Sequence, residues 1–262
     1  MSPLVALTAV ALAGVLGIAG YAGYAGYEWL EAPPNQFFGR TVVGGASTLR
    51  EVSLTYDDGP NPPYTDRILD VLRAEHVHAT FFLVGRAVAA HPALARRIVA
   101  DGNAVGDHSW SHAHLYLGSP PAIRSDLERT SDAIAAATGV RPRYMRPPFG
   151  ARDFAVVDAA HALGLDVVMW SAPLARDWEQ PGTGTIVRRV LAGVRDGSII
   201  VLHDGDRGIA CGPGDPRCDR SQEIAATREI IDALRARGYR FVTIDRLVAQ
   251  SGRGAVTRSD DR

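Results

Sequence analysis

The chain has 262 residues, 46% hydrophobic and 22% charged, with a formal net charge of -1. That length suits a single domain with a sizeable core. Near-neutral charge excludes partners held by bulk electrostatics, nucleic acid first among them, and the basic residues, all arginine, point to no function.

No charged side chain precedes Glu28. The run PLVALTAVALAGVLGIAGYAGYAGY is long enough to cross a bilayer as a helix, which takes roughly 20 apolar residues. Tyr21, Tyr24, Tyr27 and Trp29 gather at its far end, as interfacial aromatics do. Residues 1–29 are therefore expected to form a hydrophobic helix acting as an anchor, with a cleaved signal peptide or a buried apolar helix as rivals. The Pro and Gly pairs of residues 30–48 read as a linker to the membrane.

Over residues 49–250, short apolar runs alternate with segments of helical spacing. Strands are expected at EVSLTYD, ATFFLVG, NAVGDH, RYMRPP, LDVVMWS, GSIIVLHD and YRFVTI. Between them, Ile68, Leu69, Val71 and Leu72 share one helical face, and PAIRSDLERTSDAIAAATG and SQEIAATREIIDALRARG each stop at a glycine. Strand–helix alternation means parallel βαβ units. Seven strands suit a closed or nearly closed barrel better than an open dinucleotide-binding sheet, and no Gly-rich phosphate fingerprint follows the first strand. The expected fold is α/β, a distorted (β/α)7 barrel behind the N-terminal hydrophobic helix. Cys211 and Cys218 close a Gly/Pro-rich loop, which suggests a disulfide and an extracytoplasmic setting, two free thiols being the alternative. Residues 251–262 are polar and expected to fray.

Catalytic residues of such folds collect where strands end, and the polar oddities of this sequence lie there. Asp57 and Asp58 close the first strand, and Gly59-Pro60 ends it at once, so both carboxylates can turn to the mouth. Two carboxylates that close need a cation between or beside them. His108 and His112, four apart at the end of the third strand, supply two imidazoles. With Asp58 they make a two-histidine, one-carboxylate set with room for water and substrate. Zinc is the default occupant, and cobalt, iron or nickel also suit mixed N/O ligation.

In order, TYDDGP, HSWSH, RPPFG, DW and LHD resemble the polysaccharide deacetylases, the NodB-homology fold of carbohydrate esterase family 4, over about residues 50–248. The resemblance implies metal-assisted removal of acetyl groups from sugars. It implies that Asp58, His108 and His112 bind the metal and Asp57 is the general base, held by Arg146. His203 is then the general acid, oriented by Asp177. Tyr56, Pro147, Phe149, Trp178 and Leu202 are the implied substrate-binding residues, Trp178 and Leu202 walling the acetyl pocket. Tyr144 or the backbone at Tyr56 is the candidate oxyanion donor. Leu174 replaces the first aspartate of the usual Asp-x-x-Asp-Trp motif and Asp107 the more usual asparagine; His91, His114 and His161 are assigned no role. The expected substrate is an acetylated extracytoplasmic polysaccharide, N-acetylglucosamine-type sugar of peptidoglycan or a chitin-like glycan first. Acetylated xylan, a non-sugar amide and a non-catalytic carbohydrate-binding barrel are the alternatives.

Overall fold

The structure, a computed structural model, describes residue 26 and residues 31–45, 48–206 and 215–249. Seven parallel strands alternate with helices. In chain order they are β1 (Glu51–Asp57), α1 (Tyr64–Ala74), β2 (Thr80–Leu83), α2 (Gly85–Ala90), α3 (Pro92–Ala100), β3 (Ala104–Asp107), α4 (Pro120–Thr138) and β4 (Tyr144–Met145). Then follow α5 (Phe154–Ala162), β5 (Asp166–Val167), α6 (Thr183–Leu191), β6 (Ile199–His203), α7 (Ser221–Ala236) and β7 (Arg240–Phe241). The predicted anchor lies outside the described residues apart from Gly26, as does the tail from residue 250. Among the described residues no helix is long and apolar enough to cross a membrane.

The helices form where the sequence periodicity places them. Helix α1 buries Ile68, Leu69, Val71 and Leu72, with Asp66 in its first turn and Arg73 in its last, the arrangement that complements the helix dipole. Helix α4 stops where Gly139 takes the left-handed conformation (φ 78°) that a side chain would strain. Along β1, Val52, Leu54 and Tyr56 join the helix-side core. The intervening Ser53, Thr55 and Asp57, equally buried, point to the other face.

The strand order is β5-β4-β3-β2-β1-β6, with β7 also paired to β1. The parallel sheet is as expected; among the described residues no continuous ladder joins β5 to β6, and only single backbone bridges cross that seam. At the seam the amides of Ser171 and Ala172 both donate to the Ile199 carbonyl (3.1 Å each). Residues from the N-terminal segment run alongside, Val42 bridging Val168 and Gly44 bridging Ser198. The strands expected at LDVVMWS and RYMRPP shrink to two residues each. Pro147 and Pro148 have no N–H to extend β4, and Val168 and Met169 exchange backbone bonds with the N-terminal segment and β4 instead of lengthening β5.

Arg152 fastens that N-terminal segment. Its side chain is fully buried and donates to the carbonyls of Gly150 (2.9 Å), Ala32 (2.9 Å), Pro33 (3.2 Å) and Asn35 (2.7 Å). Burial pulls this guanidinium down to about 10. Arg152→Met should cost about 2–4 kcal/mol, because several charge-assisted bonds go and carbonyls are left enclosed. Urea unfolding checks this; a loss below about 0.5 kcal/mol would mean the clamp carries no stability.

Candidate active site

Asp57 and His203 are register partners on β1 and β6, so they stand side by side at the C-terminal edge of the sheet. Asp58 should by alternation face the helices. Its backbone instead turns into the left-handed region (φ 79°), and both aspartates present oxygens to His108 Nε2, Asp58 Oδ1 at 3.3 Å and Asp57 Oδ2 at 4.0 Å. Two glycines let the chain make this turn. A Cβ on Gly59 would lie 2.1 Å from Asp204 Oδ2, and one on Gly205 would lie 2.4 Å from the Asp58 carbonyl oxygen. Ser109 (φ 63°), His112 (φ 58°) and Phe149 (φ 61°) share this conformation, at a cost of roughly 1–3 kcal/mol for each such residue. Left-handed non-glycine residues thus concentrate in the loops around the paired carboxylates.

Asp58, His108 and His112 are all buried and each offers a ligand atom within 4.8 Å of the others. The separations fit a shared divalent ion. Ligand bonds of about 2.0–2.2 Å in a tetrahedral site put neighbouring donors about 3.4 Å apart, and Asp58 Oδ1 lies 3.3 Å from His108 Nε2 and 3.1 Å from His112 Nε2. His108 Nδ1 meets the Arg146 carbonyl oxygen at 2.7 Å. That contact places the proton on Nδ1 and leaves the Nε2 lone pair for a metal. Burial pushes the Asp58 carboxyl up, but the His112 and His108 imidazoles outweigh it and hold the carboxyl well below the usual range. Burial likewise works against His108, whose imidazole the Asp57 and Asp58 charges nevertheless raise.

Beside this group stands a fully buried arginine. Arg146 Nη1 donates to Asp57 Oδ1 (2.7 Å) and Thr55 Oγ1 (2.8 Å), Nη2 to the Met169 carbonyl (3.0 Å) and Nε to the Val168 carbonyl (3.2 Å). Its guanidinium carbon lies 4.1 Å from the centre of the Phe82 ring. Arg146 therefore occupies one oxygen of Asp57 and leaves Oδ2 facing the ligand group. Through its own carbonyl it also sets the His108 tautomer. One residue thus orients both the Asp57 carboxylate and the His108 imidazole.

On the opposite flank Asp177 is completely enclosed. Its Oδ2 accepts from the His203 backbone amide (2.7 Å) and its Oδ1 meets His203 Nδ1 at 3.0 Å. Burial alone would lower the imidazole of His203; the Asp177 charge and hydrogen bond carry it up to about 9. Nδ1 is thereby engaged and Nε2 left to exchange protons. Trp178 stands edge-on to the His203 ring, centroids 5.1 Å apart, and is 42% exposed. Leu174, in the place of the usual aspartate, is an exposed surface residue.

Two further acids hold loops. Asp107 accepts from the Ser109 amide (2.9 Å) and the Ser131 hydroxyl (2.8 Å), tying the end of β3 to α4; burial raises it to about 7 against those bonds. Asp204 accepts from Thr65 Oγ1, and its carbonyl from Asn61 Nδ2 (3.0 Å), pinning the segment after Asp58.

Three expected site residues turn their side chains into the core, although the Tyr56 backbone stays next to Asp57 at the end of β1. Tyr56 is fully buried on the helix side, stacked on Phe81 (5.0 Å) with its hydroxyl on Thr227 Oγ1 (2.9 Å). Leu202, one residue before His203, falls on the opposite face and packs in the same core. Tyr144 also lies in the core; its hydroxyl, raised to about 12 by burial and then by Asp245, hydrogen-bonds to that aspartate. Pro147 is buried at the end of β4, while the half-exposed Phe149 meets His112 edge-on at 4.5 Å. His114, assigned no role from sequence, stacks on Phe149 with centroids 4.0 Å apart. Its signal was its position, two residues beyond a ligand. Cys218 is buried and disulfide-bonded; Cys211 lies outside the described residues.

Comparison with known proteins places this arrangement among relatives. A family model described as polysaccharide deacetylase matches residues 45–168. The chitooligosaccharide deacetylase of Bradyrhizobium sp. (strain ANU 289) is 39% identical over 217 residues, 80% of this chain and 96% of that protein. A peptidoglycan-N-acetylglucosamine deacetylase of Listeria monocytogenes is 34% identical over 223 residues, 84% of this chain but 44% of its own length. The chain thus spans less than half of that relative. A solved structure of a peptidoglycan deacetylase from Bacillus subtilis superposes with a TM-score of 0.69 at 32% identity, covering 81% of this chain and 96% of that one.

Proposed function

We propose a function from one premise: the chain belongs to the polysaccharide deacetylase family. It removes acetyl groups from N-acetylglucosamine-type sugars of an extracytoplasmic glycan, peptidoglycan or a chitin-like polymer. The observation that carries this reading is the convergence of Asp58, His108 and His112, with the Asp57–Arg146 pair on one flank and the His203–Asp177 pair on the other. Asp58 Oδ1, His108 Nε2 and His112 Nε2 would hold a divalent ion, most simply zinc, which supplies carbonyl polarisation and activation of water.

The chain's own groups do the rest. Asp57 Oδ2 takes the proton of the attacking water while Arg146 keeps Oδ1 occupied. His203 Nε2 gives a proton to the departing amine, and Asp177 keeps the imidazolium populated near neutral pH. Trp178 and Phe149 form the cleft walls that hold the sugar and its acetyl group. The oxidising setting expected from a Cys211–Cys218 disulfide and an apolar leader at residues 1–29 suits a substrate outside the cytoplasm.

The test is acetate release from a panel of chitin oligomers, peptidoglycan fragments and acetylated xylan, before and after chelation. Turnover of an N-acetylglucosamine substrate should fall at least about 100-fold on metal removal and return with zinc. Absence of release from every member of the panel, with metal bound, would reject the reading.

A further inference from the structure

The rings around His112 form a continuous stack. His108 and His112 meet at 4.9 Å, His112 and Phe149 at 4.5 Å, Phe149 and His114 at 4.0 Å, and His114 and Tyr116 at 5.6 Å. Within that series the Phe149–His114 pair is the one parallel contact, with planes 16° apart; the others are edge-to-face. Phe149 needs such backing. Its backbone (φ 61°, ψ 0°) is unfavourable for an aromatic residue, and its side chain is half-exposed at the rim.

We infer that His114 is a positioning residue for the glycan-binding wall, its ring holding Phe149 against His112 so that the wall is formed before the sugar arrives. This rests on the deacetylase reading and assigns His114 a mechanical part in it. His114 Nδ1 is enclosed and has no hydrogen-bond partner among the described residues, so the ring gains nothing through that atom and contributes there by stacking. A phenylalanine would keep the stack and remove the enclosed nitrogen, a stabilising exchange if anything. A leucine would fill the space without a π-face, and an alanine would leave Phe149 unsupported.

The experiment uses the full chain loaded with zinc and compares His114→Ala, His114→Leu and His114→Phe on N-acetylglucosamine oligomers. KM should rise about fivefold for Ala and Leu, the equivalent of ~1 kcal/mol of ring stacking. Their kcat should stay within about twofold and their zinc content should be unchanged, while Phe behaves as the native enzyme. The inference is overturned if Phe is as impaired as Ala, if KM is flat in both Ala and Leu, or if the variants lose zinc. Leu and Phe preserve bulk, so they answer the question even where Ala fails to fold. Native protein that releases no acetate would instead sink the deacetylase reading itself.

Discussion

Asp57→Asn should lower kcat/KM for acetate release by about 10³- to 10⁴-fold while the protein keeps its metal. The amide oxygen can still accept from Arg146 Nη1, as Asp57 Oδ1 does at 2.7 Å. The NH₂ group then stands where Oδ2 faced the ligand set, and it cannot take a proton. General-base catalysis is worth roughly 10²–10⁴-fold, so the expected loss sits in the upper part of that range. Because Asp57 is not one of the three ligand donors, zinc measured by elemental analysis should remain. Removing the charge also leaves Arg146 buried without its acid, so a lower melting temperature is expected alongside. Retention of more than a tenth of native activity would remove Asp57 from the base role.

Asp177→Asn should convert a broad pH profile into one that falls early. The imidazole of His203 stands at about 9 because the Asp177 charge and hydrogen bond overcome burial. Without that carboxylate it falls toward the ordinary value of about 6.5, burial then opposing the weaker pull of the Asp58 and Asp57 charges. The acid is active when protonated, so native activity should hold until about pH 9 and decline above it. In the variant the decline begins near pH 6.5. At pH 8 the protonated fraction drops from about nine-tenths to about 3%, a loss of about 30-fold, most of which should return at pH 6. A loss of equal size at both pH values would mean that Asp177 works by placing His203 in space, as its bond to the His203 amide would also allow.

Much of the site was legible because its chemistry lies in residue types at strand ends. Asp57-Asp58, the His108/His112 spacing and the arginine at 146 are local features, and the structure brings them together. Tyr56 and Leu202, the motif neighbours of Asp57 and His203, turn their side chains into the helix-side core. Side chains alternate along a strand, so the residues immediately before Asp57 and His203 face the helices, and that signal was present in the sequence. Asp58 is the exception, and its left-handed turn depends on the close passage of Gly59 and Gly205. Such a crossing joins positions almost 150 apart in the chain and leaves no local pattern. The shortness of β4 and β5 and the bridged seam were hidden for a similar reason. Apolar runs report burial, but which backbone partners a run finds is decided by the segments beside it. His114 was passed over because its one cue, standing two residues beyond His112, does not say which ring it meets.

The Arg152 clamp also bears on the neighbourhood of Phe149. Chain entering at Glu31 is held against Gly150, with the Glu31 carbonyl oxygen 3.2 Å from where a Cβ on that glycine would lie. Gly150 directly follows Phe149, so the described start of the N-terminal segment packs beside the residue proposed for the cleft wall. On the opposite edge of the sheet, the Ile244 amide bonds to Thr80 at the start of β2. Loosening the clamp is therefore expected to disturb the backbone around Phe149 before it reaches that edge.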